Sequence, residues 1–97
     1  EYVLEVAGTR YEAALDLAQI NLEDQVTLVP EEKNTFDENA IAVYHNQSKI
    51  GYVNKVFCKL FRQLLPSSKV SATIAKKNGT AERPLLYLLL SVDSSRL

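Results

Sequence analysis

One change of period constrains this chain more than any other feature. From Tyr2 to Val53, and again from Lys69 to Val92, apolar residues come in short runs that alternate with polar ones, the period-2 mark of strands. Only between Asn54 and Leu64 does the spacing shift. There Val56, Phe57, Leu60, Phe61 and Leu64 recur at i, i+1, i+4, i+5 and i+8, one face of a helix. Strands in runs around a single helix leave no place for repeated βαβ crossovers. The pattern therefore predicts a mainly β or α+β domain of about six strands, a small barrel or sandwich with one firm helix.

The strand segments are Tyr2 to Val6, Gln25 to Val29, Ala40 to Tyr44, Lys49 to Val53, Lys69 to Ala75 and Pro84 to Val92. Pro30 stops the second, because it has no ladder donor. His45 to Ser48 reads as a hairpin turn. Asn78-Gly79 reads as a second, since both residue types tolerate the positive φ of a type I′ turn. Asn54 is a fair N-cap for the helix and Pro66 bars its continuation. Thr9 to Glu23 fits a short helix or a long loop over the core. The expected core is Val3, Leu28, Ile41, Val43, Ile50, Phe57, Leu60, Phe61 and Ile74.

At 97 residues the chain holds one domain, read as 1–97. A hydrophobic share of 46% and a charged share of 24% argue against disorder. No apolar run approaches a membrane span. There is no Met, even at position 1, which points to a chain processed or cut from a longer protein. One cysteine rules out a disulfide framework, so an intracellular, reducing setting is the default. The net charge is −1, but it is unevenly spread: residues 1–38 carry −8 and residues 39–97 carry +7. Either the second half builds an anion-facing surface, or the fold interleaves the halves and the charges cancel locally.

Several chemistries are excluded. One Cys and one His cannot make a zinc site. There is no phosphate-cradling P-loop and no G-x-S-x-G elbow. Asp37-x-Asn39 starts like a calcium loop but lacks the glycine and glutamate that should follow. A Cys58–His45 nucleophile pair is conceivable only if the fold brings the two together. The domain is expected to be non-catalytic and to need no cofactor.

Three constellations remain. Arg10 and Tyr11 follow the first strand after Gly8; they can offer a guanidinium and a stacking ring, or Tyr11 can cap the core. Asn34 to Ile41 (Asn-Thr-Phe-Asp-Glu-Asn-Ala-Ile) is either a turn pinned by Phe36 or a ligand loop with a ring and the Asp37 carboxylate. Lys55, Lys59 and Arg62 form a basic stripe on the helix. A cation in the first turn opposes the helix dipole, which hints that Lys55 has another task.

The order G-x-R-Y, then N-x-F-D-x-N-A-I-x-V, then I-G-Y-V leading into a helix, over roughly residues 3 to 75, resembles the HIRAN domain family. The resemblance implies an OB-like or SH3-like β-barrel with one or two helices. It also implies a module that binds single-stranded DNA and captures a free 3′-hydroxyl end, as in domains that accompany Swi/Snf-class helicases. By position, Arg10 would meet phosphate, Tyr11 would stack on a base, Asp37 would accept from the 3′-hydroxyl, and Lys55 would supply a positive charge. Phe36 stands where relatives carry Tyr, and Tyr52 where they carry a His that helps hold the terminal nucleotide. Glu31, Glu32 and Glu38 add acids that oppose a phosphodiester chain, so any DNA affinity should be modest and salt-sensitive. The alternative is a protein-interaction domain that keeps the fold and has lost the DNA site. Exposed rings over a basic groove would favour DNA.

Overall fold

The computed structural model describes residues 2–12, 15–31, 33–35, 37–64, 69–80 and 82–93. Six strands close into one antiparallel barrel in the order β1-β4-β3-β2-β5-β6. They are β1 (Tyr2–Ala7), β2 (Gln25–Pro30), β3 (Ile41–His45), β4 (Ser48–Val53), β5 (Lys69–Gly79) and β6 (Pro84–Asp93), with helix α1 (Lys55–Leu64) between β4 and β5. The barrel with one helix matches the expected fold class. Among the described residues between Thr9 and Glu23 the chain makes two 3₁₀ turns, Thr9–Tyr11 and Leu17–Gln19, and no regular helix.

The topology decides how the charge is spread. β1 pairs with β4 and β6, and β2 with β3 and β5, so each first-half strand lies between two second-half strands. Glu31 meets Lys49 at 3.3 Å and Asp24 meets His45 at 2.9 Å, each pair joining the two halves. At these two points the acids of the first half are met by side chains of the second.

Alternation fills the barrel. Leu4 and Val6 of β1, Ile41 and Val43 of β3, Ile50 and Val53 of β4, Ile74 of β5, and Leu86, Leu88 and Leu90 of β6 are all buried. Of the expected core, Leu28 and Phe57 are only partly buried against this cluster, and two residues are exposed. Val3 is 65% exposed, because β1 turns Leu4 and Val6 inward and places Val3 beside Glu5 on the outer face. Leu60 is 37% exposed and Val56 81%, because α1 is rotated so that Phe57, Cys58 and Phe61 face the barrel. Cys58 behaves as a small apolar residue and sets that rotation. Phe61 meets Tyr2 edge-on, with ring centroids 5.4 Å apart, and so closes one end of the barrel. Asn54 does cap the helix: its side-chain oxygen accepts from Val56 N–H at 3.0 Å.

The two hairpins differ in how far local chemistry sets the turn. Asn46 and Gln47 have φ of 49° and 72°, as a two-residue I′ turn between β3 and β4 requires. Asn78-Gly79, by contrast, is not a turn. The strands run past it, pairing Asn78 with Leu85 and Gly79 with Pro84, and the chain reverses between Thr80 and Arg83, whose backbones exchange two hydrogen bonds. Gly79 still uses its positive φ of 83°, since a Cβ there would lie 2.3 Å from the Arg83 carbonyl oxygen. A register shift between Ile74 and Lys76 then places Lys77 opposite Leu86. Its ammonium donates to the carbonyls of Leu17 and Ile20 at 2.8 and 2.7 Å, fastening the second 3₁₀ turn to the rim.

Candidate nucleic-acid interface

The I-G-Y segment owes its glycine to a close approach. Gly51 has φ of 151°, and a Cβ there would sit 2.5 Å from Val6 Cγ1 and 2.6 Å from the Ala7 carbonyl oxygen. Without that side chain, β1 closes onto β4 and brings Ala7 opposite Tyr52. The turn after Ala7 therefore emerges beside Tyr52, and Gly8 lies against its ring.

Arg10 and Tyr11 occupy that turn. Tyr11 N–H donates to the Gly8 carbonyl at 3.1 Å. The buried Thr9 hydroxyl donates to the Pro84 carbonyl at 2.7 Å, which locks the turn onto the start of β6. Tyr11 is 73% exposed, so it does not cap the core. Arg10 Nη2 donates to the Tyr11 hydroxyl at 2.7 Å, and the guanidinium carbon stands 4.8 Å from the ring centroid. The result is a paired cation and ring presented to solvent.

Asp37 is held in a loop closed at its base by Glu31 N–H donating to the Ala40 carbonyl at 2.8 Å. Asn34 Oδ1 accepts from Asp37 N–H at 3.0 Å, and Asp37 Oδ1 accepts from Asn39 N–H at 2.9 Å. One carboxylate oxygen thus shapes the turn. Among the described residues the other has no partner. Phe36 lies outside the described residues.

Tyr52 lies in β4 between Ala7 and Ala42. Its hydroxyl donates to Glu31 Oε1 at 2.9 Å and accepts from Lys49 Nζ at 2.9 Å. Burial pushes the Glu31 carboxyl up, but hydrogen bonds from Asn34, Tyr52 and Lys49 outweigh it and hold the group below its usual range. Lys49 is held above the ordinary lysine range, first by the Tyr52 hydroxyl and then by Glu31, against burial. Glu31 therefore stands as a paired anion, and Lys49 offsets much of its repulsion toward a phosphate.

Lys55 opens α1, exposed and, among the described residues, without a partner for its ammonium. Lys59 is exposed on the same side, whereas Arg62 is half-buried and donates to the Glu38 carbonyl at 2.6 Å. Cys58 is buried and its thiol donates to the Val53 carbonyl at 3.4 Å; burial pushes the thiol up, and the charges of Asp37, Arg62 and Lys55 all reach it. His45 is tied to Asp24 instead, so the structure shows no Cys58–His45 pair.

These residues fall into two depressions. Ala7, Ala40, Val53 and Cys58 floor a cavity of about 280 Å³, with Asn34, Asp37, Tyr52 and Lys55 around it. Glu5 to Tyr11 and Arg83 to Leu85 line a second, of about 400 Å³. Ala7 belongs to both. Asp37, Tyr52 and Lys55 thus converge on one cavity and Arg10 and Tyr11 on its neighbour. Sequence reasoning passed over Asn34 as a site residue, although it opens the densest motif. It also missed Arg83, for which no motif exists. Among the described residues no group of three or more His, Cys, Asp or Glu side chains is placed to hold a metal ion, and no helix is long and apolar enough to cross a membrane.

No curated protein sequence matches this chain. Two solved structures resemble it in fold. The crystal structure of the HIRAN domain of human HLTF superposes with a TM-score of 0.71 at 19% identity, over 94% of this chain and 73% of that one. A protein from Lactobacillus plantarum superposes with a TM-score of 0.72 at 24% identity, over 91% of this chain and 87% of that one. The family model for the HIRAN domain matches residues 1–92, nearly the whole sequence and every strand of the barrel, and on that match the chain belongs to the HIRAN domain family.

Proposed function

We propose that this domain binds single-stranded DNA, with the 3′ end in the Asp37–Tyr52–Lys55 cavity and the preceding nucleotides over Tyr11 and Arg10. HIRAN domains are nucleic-acid-binding modules and not catalytic ones, which sets the class of ligand. The observation that carries the finer reading is the cavity rim. Among the described residues, an unpartnered carboxylate oxygen of Asp37 and an unpartnered Lys55 ammonium border an apolar floor, one strand away from an exposed tyrosine ring. A cavity of about 280 Å³ admits a single nucleoside-sized group and not a duplex.

Each part has a separate chemical task. An ionised carboxylate only accepts hydrogen bonds, so Asp37 favours a free hydroxyl over a terminal phosphate. Lys55 and Arg10 meet phosphodiester oxygens. Tyr11, and Phe36 by its place in the motif, supply stacking, which tolerates any base. Tyr52 serves through its ring, because its hydroxyl is engaged by Glu31 and Lys49. No step in this binding mode requires a metal or a nucleotide cofactor.

Fluorescence anisotropy with short labelled oligonucleotides tests the reading. Single strands with a free 3′ end should bind at low salt, with a log–log salt slope of roughly −1.5 to −3 for two to four neutralised phosphates. Blunt duplexes should bind less. Absence of binding at low salt, or binding indifferent to salt, would instead support the protein-interaction reading.

A further inference from the structure

Arg83 is the second basic residue of the 400 Å³ depression, and no motif accounts for it. It lies 73 positions from Arg10 in sequence, yet both border the same cavity. The two are held in fixed relation. Arg83 N–H donates to the Thr80 carbonyl at 3.1 Å and to Thr80 Oγ1 at 3.2 Å, which sets the turn. The next residue, Pro84, receives the buried Thr9 hydroxyl at 2.7 Å, and Thr9 immediately precedes Arg10. One buried hydrogen bond therefore couples the two arginine-bearing turns. The Arg83 side chain is exposed and, among the described residues, its guanidinium has no partner. Glu5 borders the same cavity, so its charged side chains are two arginines and one carboxylate.

We infer that Arg10 and Arg83 form a two-sided clamp for one backbone phosphate of the bound single strand, upstream of the nucleotide in the Asp37 cavity. The inference rests on the single-strand reading above. Its geometric basis is Ala7, which borders both depressions and makes the second a continuation of the first. A strand leaving the Asp37 cavity across Ala7 enters the depression that Arg10, Tyr11 and Arg83 all line. Guanidinium groups suit this task, since each can give two parallel N–H donors to phosphate oxygens. The clamp adds no base preference, because a phosphate carries no sequence information.

The test compares wild type with Arg83→Ala, Arg83→Lys and Asp37→Asn on 3′-hydroxyl oligonucleotides. In a series of probes, one internucleotide phosphate at a time is replaced by an uncharged methylphosphonate. Arg83→Ala should weaken the unmodified strand about two- to fivefold, the size of an exposed ion pair. It should make the salt slope shallower by about 0.7. One methylphosphonate position should weaken wild type but leave Arg83→Ala unaffected, with Arg83→Lys between them. If Arg83→Ala matches wild type in affinity, slope and methylphosphonate profile while Asp37→Asn loses its preference for a free 3′ end, the clamp is wrong and the single-strand reading stands. If wild type binds none of the probes, both fall together. Arg83 is exposed, so an unchanged melting temperature separates lost contact from lost fold.

Discussion

Replacing Asp37 by Asn separates two tasks that replacement by Ala would confound. Asp37 Oδ1 accepts from Asn39 N–H at 2.9 Å and so helps to build its own loop. An asparagine keeps an oxygen for that bond and turns the other carboxylate oxygen into an amide donor. The loop should therefore persist, with stability within about 0.5 kcal/mol of wild type, as for other surface changes. Alanine removes the acceptor altogether and should cost about 1 kcal/mol.

The binding effect follows from charge. A terminal phosphate carries roughly −1.5 to −2 near neutral pH. At about 4 Å from a carboxylate, unit charges repel by about 1 kcal/mol in bulk water and more where water is partly excluded. Wild type should thus prefer a 3′-hydroxyl over a 3′-phosphate by about 1–2 kcal/mol, or roughly five- to thirtyfold. Asp37→Asn should bind 3′-hydroxyl strands a few times more weakly and lose most of that preference. Competition anisotropy with matched oligonucleotides reads both quantities, and thermal melts confirm the fold. A well-folded wild type that binds both ends equally would refute the reasoning. So would an Asp37→Asn protein that discriminates as strongly as wild type.

Four further outcomes are expected. Phe61→Ala should destabilise the protein by about 3–5 kcal/mol in urea titrations, because its ring is fully buried, whereas Leu60→Ala should cost clearly less. Gly51→Ala should sharply lower the melting temperature, since its new methyl would overlap Val6 and the Ala7 carbonyl. Hydrogen bonding from His45 holds the Asp24 carboxyl below its ordinary 3.8, so its contribution to stability is present above that value and fades as the pH falls through the lowered one; an Asp24→Asn protein should show a flatter loss of stability in acid. Lys77→Ala should speed amide exchange around Leu17 to Ile20 more than in the barrel strands, as it frees two carbonyls.

The sequence revealed the barrel more readily than its interior. Strand positions and the helix were legible because their periods differ, and Asn54 announced the helix start. The phase of β1 was also available: Glu5 demands the outer face, which sends Leu4 and Val6 inward and Val3 out. β6 hid its phase, because Leu85 to Leu90 is apolar on both faces and only the closed sheet shows that Leu86, Leu88 and Leu90 point in. The apolar spacing of Val56, Phe57, Leu60, Phe61 and Leu64 leaves Cys58 out, and so sets the helix face one residue away from the observed one. The Asn78-Gly79 signal located a positive φ but not the reversal, which local propensity cannot fix when a longer ladder competes. Asp37, Tyr52 and Lys55 could be gathered only through resemblance, since three separate elements carry them. Arg83 had no signal, because its proximity to Arg10 arises from the pairing of β1 with β6.

That same pairing governs how the domain comes into being during synthesis. Within the domain β1 is the first strand to be made, yet its neighbours are the barrel's fourth strand and its sixth. One edge must wait for β4, half a domain later, and the other stays open until β6 ends the barrel. Loop closure on that scale makes the search slow and leaves little to gain from partial structure. An emerging chain that stops before Pro84 would leave β1 and β5 without β6 and take Leu86, Leu88 and Leu90 out of the core at once. Nascent fragments of this length should therefore be degraded or held by chaperones rather than accumulate half-folded.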